Sequence, residues 1–370
     1  MGLTEDAPRI DQVEVSVFGP GYGECSVIHV GGNNWIIIDS CIDAESKQPA
    51  SLQYLRSIGV DASAVKLVIV THWHDDHIRG ISAVVETCIE AQVCVSAALS
   101  QRDFLASVLR YDQHAGIVAG SGASEISRVL ETVRARKRAV FRGLAGKRLL
   151  SLVPELTGHG LPCEIWALSP SDEQFDRSLK EIGKLVPEVL ETKIRAPDQS
   201  PNDLSVVTWI SVGEHAFLFG ADLEEHSDPL VGWSAIINST TRPPGPAFFF
   251  KIPHHGSANG HHDGVWNSLL VANPDSVLTP WNKNEGLPTK RDIHRICGLT
   301  TSAFSTSDCK AVPLRRRPPM VEKQIKELVG KLQSALVKTG QLRMRSGSDG
   351  QLKFWCIETL AGACTLGCLA

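Results

Sequence analysis

The segment 68-VIVTHWHDDHIRG-80 places three histidines and two aspartates within six residues, directly after an apolar run. His72 and His74 are two apart at a strand end, where loop geometry can aim both at one ion. Asp76 and His77 follow at once and can reach a second. Imidazole plus carboxylate, without thiolate, suits zinc, manganese or iron in an open, reactive site; closed structural zinc sites more often use cysteine. The plainer alternative is a solvated polar turn with chance histidines, which fits poorly with His-x-His-x-Asp-His directly behind a buried strand.

Such residues need a frame. Alternating 13-VEVSVFG-19, a glycine-rich turn 19-GPGYGE-24, and 25-CSVIHV-30 and 35-WIIID-39 joined by Gly31-Gly32-Asn33-Asn34 read as strands. A helix over 49–59, the fully apolar strand 65–70, a helix over 81–91 and a strand over 92–96 continue an alternation that predicts an α/β layered fold. From about 100 to 200 the pattern is mostly helical, including 123–150 and 172–190, with a strand at 163–169. Strands return at 204–212, 215–222, 247–253 and 275–281. The Pro- and Arg-rich 313-PLRRRPP-319 reads as a linker or surface turn, followed by a helix over 320–338 and a strand over 351–358. The expected organisation is one domain over 1–312 carrying a helical insertion at about 100–200, with 313–370 packing on or beside it.

Composition bounds the partners. The chain has 370 residues, 42% of them hydrophobic, enough to bury a sizeable core. A net charge of −4 exerts no general pull toward nucleic acid or membrane, so any basic surface is local. The start of the chain lacks an apolar signal-peptide core, and no apolar run reaches the ~20 residues that span a bilayer. Ten cysteines scattered without paired spacing read as reduced, in a cytoplasmic protein without membrane contact; Cys364 and Cys368 read as small residues of a tail.

The motif His72-Trp73-His74-Asp75-Asp76-His77 resembles the signature of the metallo-β-lactamase superfamily. The strand 35-WIIIDSC-41 looks like the one that ends in the superfamily's supporting Asp, here Asp39, and 218-LFGAD-222 like the one that ends in its bridging carboxylate, here Asp222. The segments 251-KIPHHGS-257, 17-VFGPGYGECSVI-28 and Asn202 to Val206 resemble the ComEC-type hydrolase domain of DNA-uptake channels. The resemblance covers 13–98 and 200–308. It implies a four-layer αββα sandwich and two divalent ions, zinc or manganese. His72 and His74 would hold the first ion. Asp76, His77 and one of His254 and His255 would hold the second, with His255 favoured because the His-Gly-Ser part matches best. Asp222 would bridge, and Asp39 would orient the loop from behind.

Two departures stand out. Many relatives place a third histidine ligand ahead of the bridging Asp, where this chain has 201-PNDLS-205, so Asn202 or Asp203 is left to serve, or the stretch is a plain turn. Where ComEC-type relatives carry Gly-His-Pro, this chain has Leu287; His261 and His262 substitute in space or form a helix start at the rim.

Two metals ~3.5–4 Å apart can share a hydroxide and neutralise charge on an attacked centre, which favours phosphodiesters. Asp76 would orient the hydroxide, and His254 or His262 would protonate the leaving group. Ser257 reads as a turn residue. Over 128–148, basic residues outnumber acids eight to one, and Arg134, Arg136, Lys137 and Arg138 are the expected phosphate contacts, unless the helix is simply a solvated amphipathic one. The leading expectation is a phosphodiester hydrolase acting on nucleic acid or a nucleotide, with a protein partner or homo-oligomer open. The alternatives are hydrolysis of another ester, mono-iron oxidoreductase chemistry, or a binding protein with a degenerate site.

Overall fold

Strands Trp35–Ile38 and Val65–Val70 are apolar on both faces, so each needs a packed layer on either side. Ile36, Ile38, Leu67 and Ile69 face one interior, while Trp35, Ile37, Val68 and Val70 face another. The computed structural model, which describes residues 6–100, 122–185, 201–282, 286–307, 338–347 and 352–369, supplies both layers.

The first sheet contains β1 (Glu14–Gly19), β2 (Cys25–His29), β3 (Trp35–Ile38), β4 (Val65–Val70), β5 (Gln92–Ser96) and β6 (Phe141–Gly143). The C-terminal strands β14 (Gly340–Ser346) and β15 (Trp355–Leu360) extend it beyond β1, giving the order β15-β14-β1-β2-β3-β4-β5-β6. The second sheet contains β7 (Lys147–Leu152), β8 (Cys163–Ala167), β9 (Thr208–Val212), β10 (His215–Phe219), β11 (Ala247–Lys251), β12 (Leu270–Leu278), β13 (Ala303–Ser305) and β16 (Cys364–Thr365). Its order is β16-β13-β12-β11-β10-β9-β8-β7. The central core lies between the sheets and includes Val15, Ile36, Ile69, Ile210, Phe217, Phe249 and Val277. Helices Ala50–Ser57, Ile81–Thr87 and Gly122–Ala135 cover the outer face of the first sheet. Helices Gly232–Asn238 and Lys290–Leu299 cover that of the second. This is the expected αββα sandwich.

Parallel pairing decides where the loops emerge. β3 and β4 run parallel with Ile38 beside Ile69, and β10 and β11 run parallel with Phe219 beside Lys251. The carboxyl ends of these strands therefore open at one edge, and Asp39, 71–77, 220–222 and 252–256 all leave from it.

The described part of 100–200 is less helical than the sequence pattern predicts. It holds helices Gly122–Ala135 and Asp172–Leu185, but 141–152 forms β6 and β7 rather than continuing the first helix. β7 is an edge strand that buries Leu149 and Leu152 and carries Lys147 and Arg148 toward solvent, with Arg148 paired to Glu164 on β8 at 2.7 Å. The lysines and arginines made an edge strand look like a basic helix. The helix expected at 320–338 lies outside the described residues but for its last position, and β14, just after it, was not foreseen.

β14 is tied into the first sheet by a buried ion pair. Arg345 places Nη2 and Nε 2.6 and 2.7 Å from Oε2 of Glu14, while Tyr54 and Ser16 donate to the other carboxylate oxygen. Both partners are buried. Removing one leaves an uncompensated charge. Arg345→Met is expected to cost about 3–5 kcal/mol of unfolding free energy, read from denaturant melts; a loss below about 1 kcal/mol, the range of an exposed pair, would contradict this account.

Candidate metal centre

The residues at the shared edge converge. Asp76, His77, Asp222 and His255 bring ligand-type atoms within 4.8 Å of one another, and so do His72, His74 and Asp222. Asp222 belongs to both groups. It follows β10 of the second sheet and reaches the residues that follow β4 of the first.

Each buried imidazole is braced through Nδ1 so that Nε2 points inward. His72 Nδ1 lies 3.0 Å from Thr71 Oγ1, and that hydroxyl donates to Asp39 at 2.7 Å. His77 Nδ1 is 2.7 Å from Asp39 Oδ2, and His255 Nδ1 is 2.9 Å from the carbonyl of Thr279. These acceptors assign the proton to Nδ1 in each ring. His77 Nε2 then sits 3.2 Å from Asp222, and His255 Nε2 sits 3.1 Å from Asp76 and 3.5 Å from Asp222.

The backbone is bent to achieve this. Asp39, Ala221, His254 and His255 all have positive φ, between 46° and 60°. Such conformations cost on the order of 1–3 kcal/mol each for residues with a side chain and persist where the surroundings over-determine them. His254 N donates to the carbonyl of Ala221 at 3.1 Å, which links two of the strained turns. At Gly23 (φ +101°) an added Cβ would lie 3.0 Å from the carbonyl oxygen of Asp76, so glycine lets the neighbouring Glu24 N reach that oxygen at 2.9 Å.

The donor set fits divalent metal. His72 Nε2, His77 Nε2 and Asp222 Oδ1 are buried polar atoms without a hydrogen-bond partner, all within the two groups. Buried polar atoms are rarely left so, and an ion is the partner that this pattern of nitrogen and carboxylate oxygen suits. Electrostatics agree. Burial pushes His72 and His74 below the ordinary imidazole value, keeping them neutral. Burial acts the same way on His77 and His255, but Asp222, with Glu24 and Asp76 around His77 and Asp76 beside His255, outweighs it and raises both. Burial raises Asp222, yet His77 and His255 outweigh it and hold the carboxyl well below its ordinary value.

The metallo-β-lactamase superfamily model matches residues 18–163. That match lies over the strands and the loop that carry Asp39, His72, His74, Asp76 and His77. Solved structures similar to the chain include AbOPH, a hydrolase in the β-lactamase superfamily, at 21% identity over 39% of this chain and 51% of that one, with a TM-score of 0.26. The chain thus spans about half of that protein's length. A metallo-β-lactamase with an HARLDQ motif from Cronobacter sakazakii matches at 13% identity over 64% and 76% of the two chains, with a TM-score of 0.34. Zinc-bound PqqB from Methylobacterium extorquens matches at 14% over 53% and 51%, with a TM-score of 0.26. No curated protein matches the chain.

The candidate site thus gathers His72, His74, Asp76, His77, Asp222 and His255, with Asp39 behind His77 and Thr71. Asn202 sits elsewhere in the arrangement: its amide nitrogen donates to Glu224 at 2.7 Å and lies 3.3 Å from His254 Nε2. Asp203 pairs with His226 at 2.5 Å. His254 stands at the rim with Nδ1 2.9 Å from Asn259. His262 accepts from Gly264 N and lies 3.3 Å from Ser234, outside both groups. Arg136 and Arg138 donate to the carbonyls of Val85, Glu86 and Ile89 at the end of helix Ile81–Thr87, so both guanidinium groups cap that helix; Lys137 has positive φ beside them. Sequence reasoning passed over Glu24, Thr71, Lys251 and Thr279. The one available signal was a lysine ending the apolar strand 247-AFFFK-251, a buried charge that must have a partner.

Metal uptake must displace protons. His77 and His255 have folded values above the ordinary 6.5, so in the metal-free protein their protonation contributes stability that is full below the unfolded value and lost as pH rises through the folded one. Ligation needs the neutral ring. Zinc binding is therefore expected to release protons and to tighten as pH rises. Calorimetric titration in two buffers of different ionisation heat checks this; a buffer-independent binding heat would contradict it.

Proposed function

We propose that the chain is a metal-dependent hydrolase of phosphodiester bonds, with nucleic acid or a nucleotide as substrate. The observation that carries the reading is the shared carboxylate: Asp222 belongs to both the His72–His74 group and the Asp76–His77–His255 group, an arrangement suited to two adjacent divalent ions. Ions held there supply Lewis-acid neutralisation and acidified water. The chain's own residues do the rest. Asp76, buried and 3.1 Å from His255 Nε2, would orient the attacking water. His254, between Asn259 and Glu224, would hand a proton to the leaving oxygen. A phosphodiester concentrates negative charge at the nucleophile, the non-bridging oxygens and the leaving group, which is where cations and a proton donor are most useful. The likeness of 251-KIPHHGS-257 to ComEC-type hydrolases supports the same substrate class.

A second reading has one observation in its favour. His72, His74 and Asp222 alone form a two-histidine, one-carboxylate set of the kind that holds a single iron in oxygen chemistry. Metal content separates the two: two equivalents of zinc or manganese support the hydrolase, and one equivalent of iron supports the oxidoreductase.

Hydrolysis of bis-p-nitrophenyl phosphate and of labelled single- and double-stranded DNA, with zinc, manganese or no metal added, tests the proposal. Asp76→Ala and His72→Ala are expected to lower kcat by about 10²-fold or more on every substrate. His254→Gln is expected to lower kcat on DNA by about 10²-fold and to spare the nitrophenyl diester, whose leaving group departs without a proton. Unchanged turnover in Asp76→Ala and His72→Ala would remove the two-metal reading, and equal losses on both substrates in His254→Gln would remove the proton-donor role.

A further inference from the structure

Behind the metal ligands lies a second, fully buried charge pair. Lys251 Nζ is 2.6 Å from Glu24 Oε2, with Lys251 2% exposed and Glu24 5%. Lys251 ends β11 in the second sheet, and Glu24 stands just before β2 in the first. The pair therefore crosses the sandwich at the edge where the ligands converge.

Its contacts run to one group of ligands. Glu24 N donates to the carbonyl of Asp76 at 2.9 Å, and Glu24 Oε1 lies 3.7 Å from His77 Nδ1. Thr279 donates its hydroxyl to Glu24 Oε2, and its carbonyl receives His255 Nδ1 at 2.9 Å. On the lysine side, Nζ donates to the carbonyl of Ile252 at 3.1 Å, and the carbonyl of Lys251 accepts from Gly220 N at 3.0 Å, two residues before Asp222. One ion pair thus touches the supports of Asp76, His77, His255 and Asp222. His72 is braced by Thr71 and Asp39, without contact to this pair, although Asp39 also holds His77.

We propose that the Glu24–Lys251 pair is a positioning clamp that sets the spacing between the two halves of the Asp76–His77–Asp222–His255 group, and so governs ion binding there while leaving the His72–His74 group to its own bracing. The proposal rests on the reading that these residues hold metal. Its physical basis is the cost of an unpaired buried charge. Without Lys251, the Glu24 carboxylate would be left beside His77 with no counter-ion and would draw that ring or water toward itself. Without the Glu24 carboxylate, Thr279 would lose its acceptor, and His255 would lose the anchor behind its own.

The test is zinc titration by calorimetry of the metal-free full chain, with folding of each variant checked by thermal melting. Wild type is expected to bind two equivalents. Lys251→Met and Glu24→Gln are each expected to weaken one equivalent at least about tenfold and to affect the other, which shares only Asp222 with the clamped group, far less. The weakened equivalent is assigned by repeating the titration with His72→Ala, where the loss should persist. Glu24→Gln/Lys251→Met, which leaves no orphaned charge, is expected to bind more tightly than Lys251→Met alone; a merely structural role would lower the melting temperature and leave both binding constants unchanged. Thr279→Val keeps both charges and is expected to weaken the same equivalent, so it carries the test if a charge variant fails to fold. Equal weakening of both equivalents, or two intact equivalents in Lys251→Met, Glu24→Gln and Thr279→Val, overturns the clamp while the metal reading stands. A wild type that binds no zinc removes the metal reading and the clamp with it.

Discussion

A carboxylate shut away from water needs a positive partner, and Asp222 is 1% exposed. That need organises the edge of the sandwich. Imidazoles from both sheets turn toward this one residue: His72, His74 and His77 from behind β4, and His255 from behind β11. Protons on His77 and His255 offset Asp76 and Asp222 in the metal-free protein, and bound cations would supply positive charge in their place. The site is stable as a trap for positive charge, and which positive charge fills it depends on pH and metal supply.

Holding the cluster together takes strained backbone. Asp39, Ala221, His254 and His255 adopt left-handed φ, and none of them is glycine. The apolar core between the sheets over-determines the strand ends that carry them, and the hydrogen bond from His254 N to the carbonyl of Ala221 joins two of the strained turns. Rigidity of this kind matters for a site whose ligands must stay near each other even when like charges would push them apart.

The two ligand groups differ in how they are supported. The His72 ring is held by a short local chain, Thr71 to Asp39, within the first sheet. The other group shares Asp39 at His77 and is held in addition across the sandwich, from Glu24 in the first sheet to Lys251 and Thr279 in the second. Around both stands a rim of histidines, His226, His254 and His262, each close to an acid, an amide or a hydroxyl.

Much of this was legible in the chain because it is local. The apolar strands and the turn signals among 13–98 predict β1 to β5 closely, since alternation and Gly-Asn turns are properties of neighbouring residues. His72, His74, Asp76 and His77 lie in one short segment, so their joint purpose can be read without coordinates. Where local pattern misleads, it does so for a reason: Lys147 and Arg148 suit an exposed edge strand as well as a basic helix, and only pairing with β8 decides between them. Tertiary structure alone settled the rest. It brought Asp222 across from the second sheet, turned Arg136 and Arg138 onto a helix end, set Asn202 against Glu224, and joined Glu24 to Lys251, residues 227 positions apart by their numbers. A sequence shows which residues can bear charge. Which charges meet is decided by how two sheets close on one another, because burial makes each of them find its partner in space.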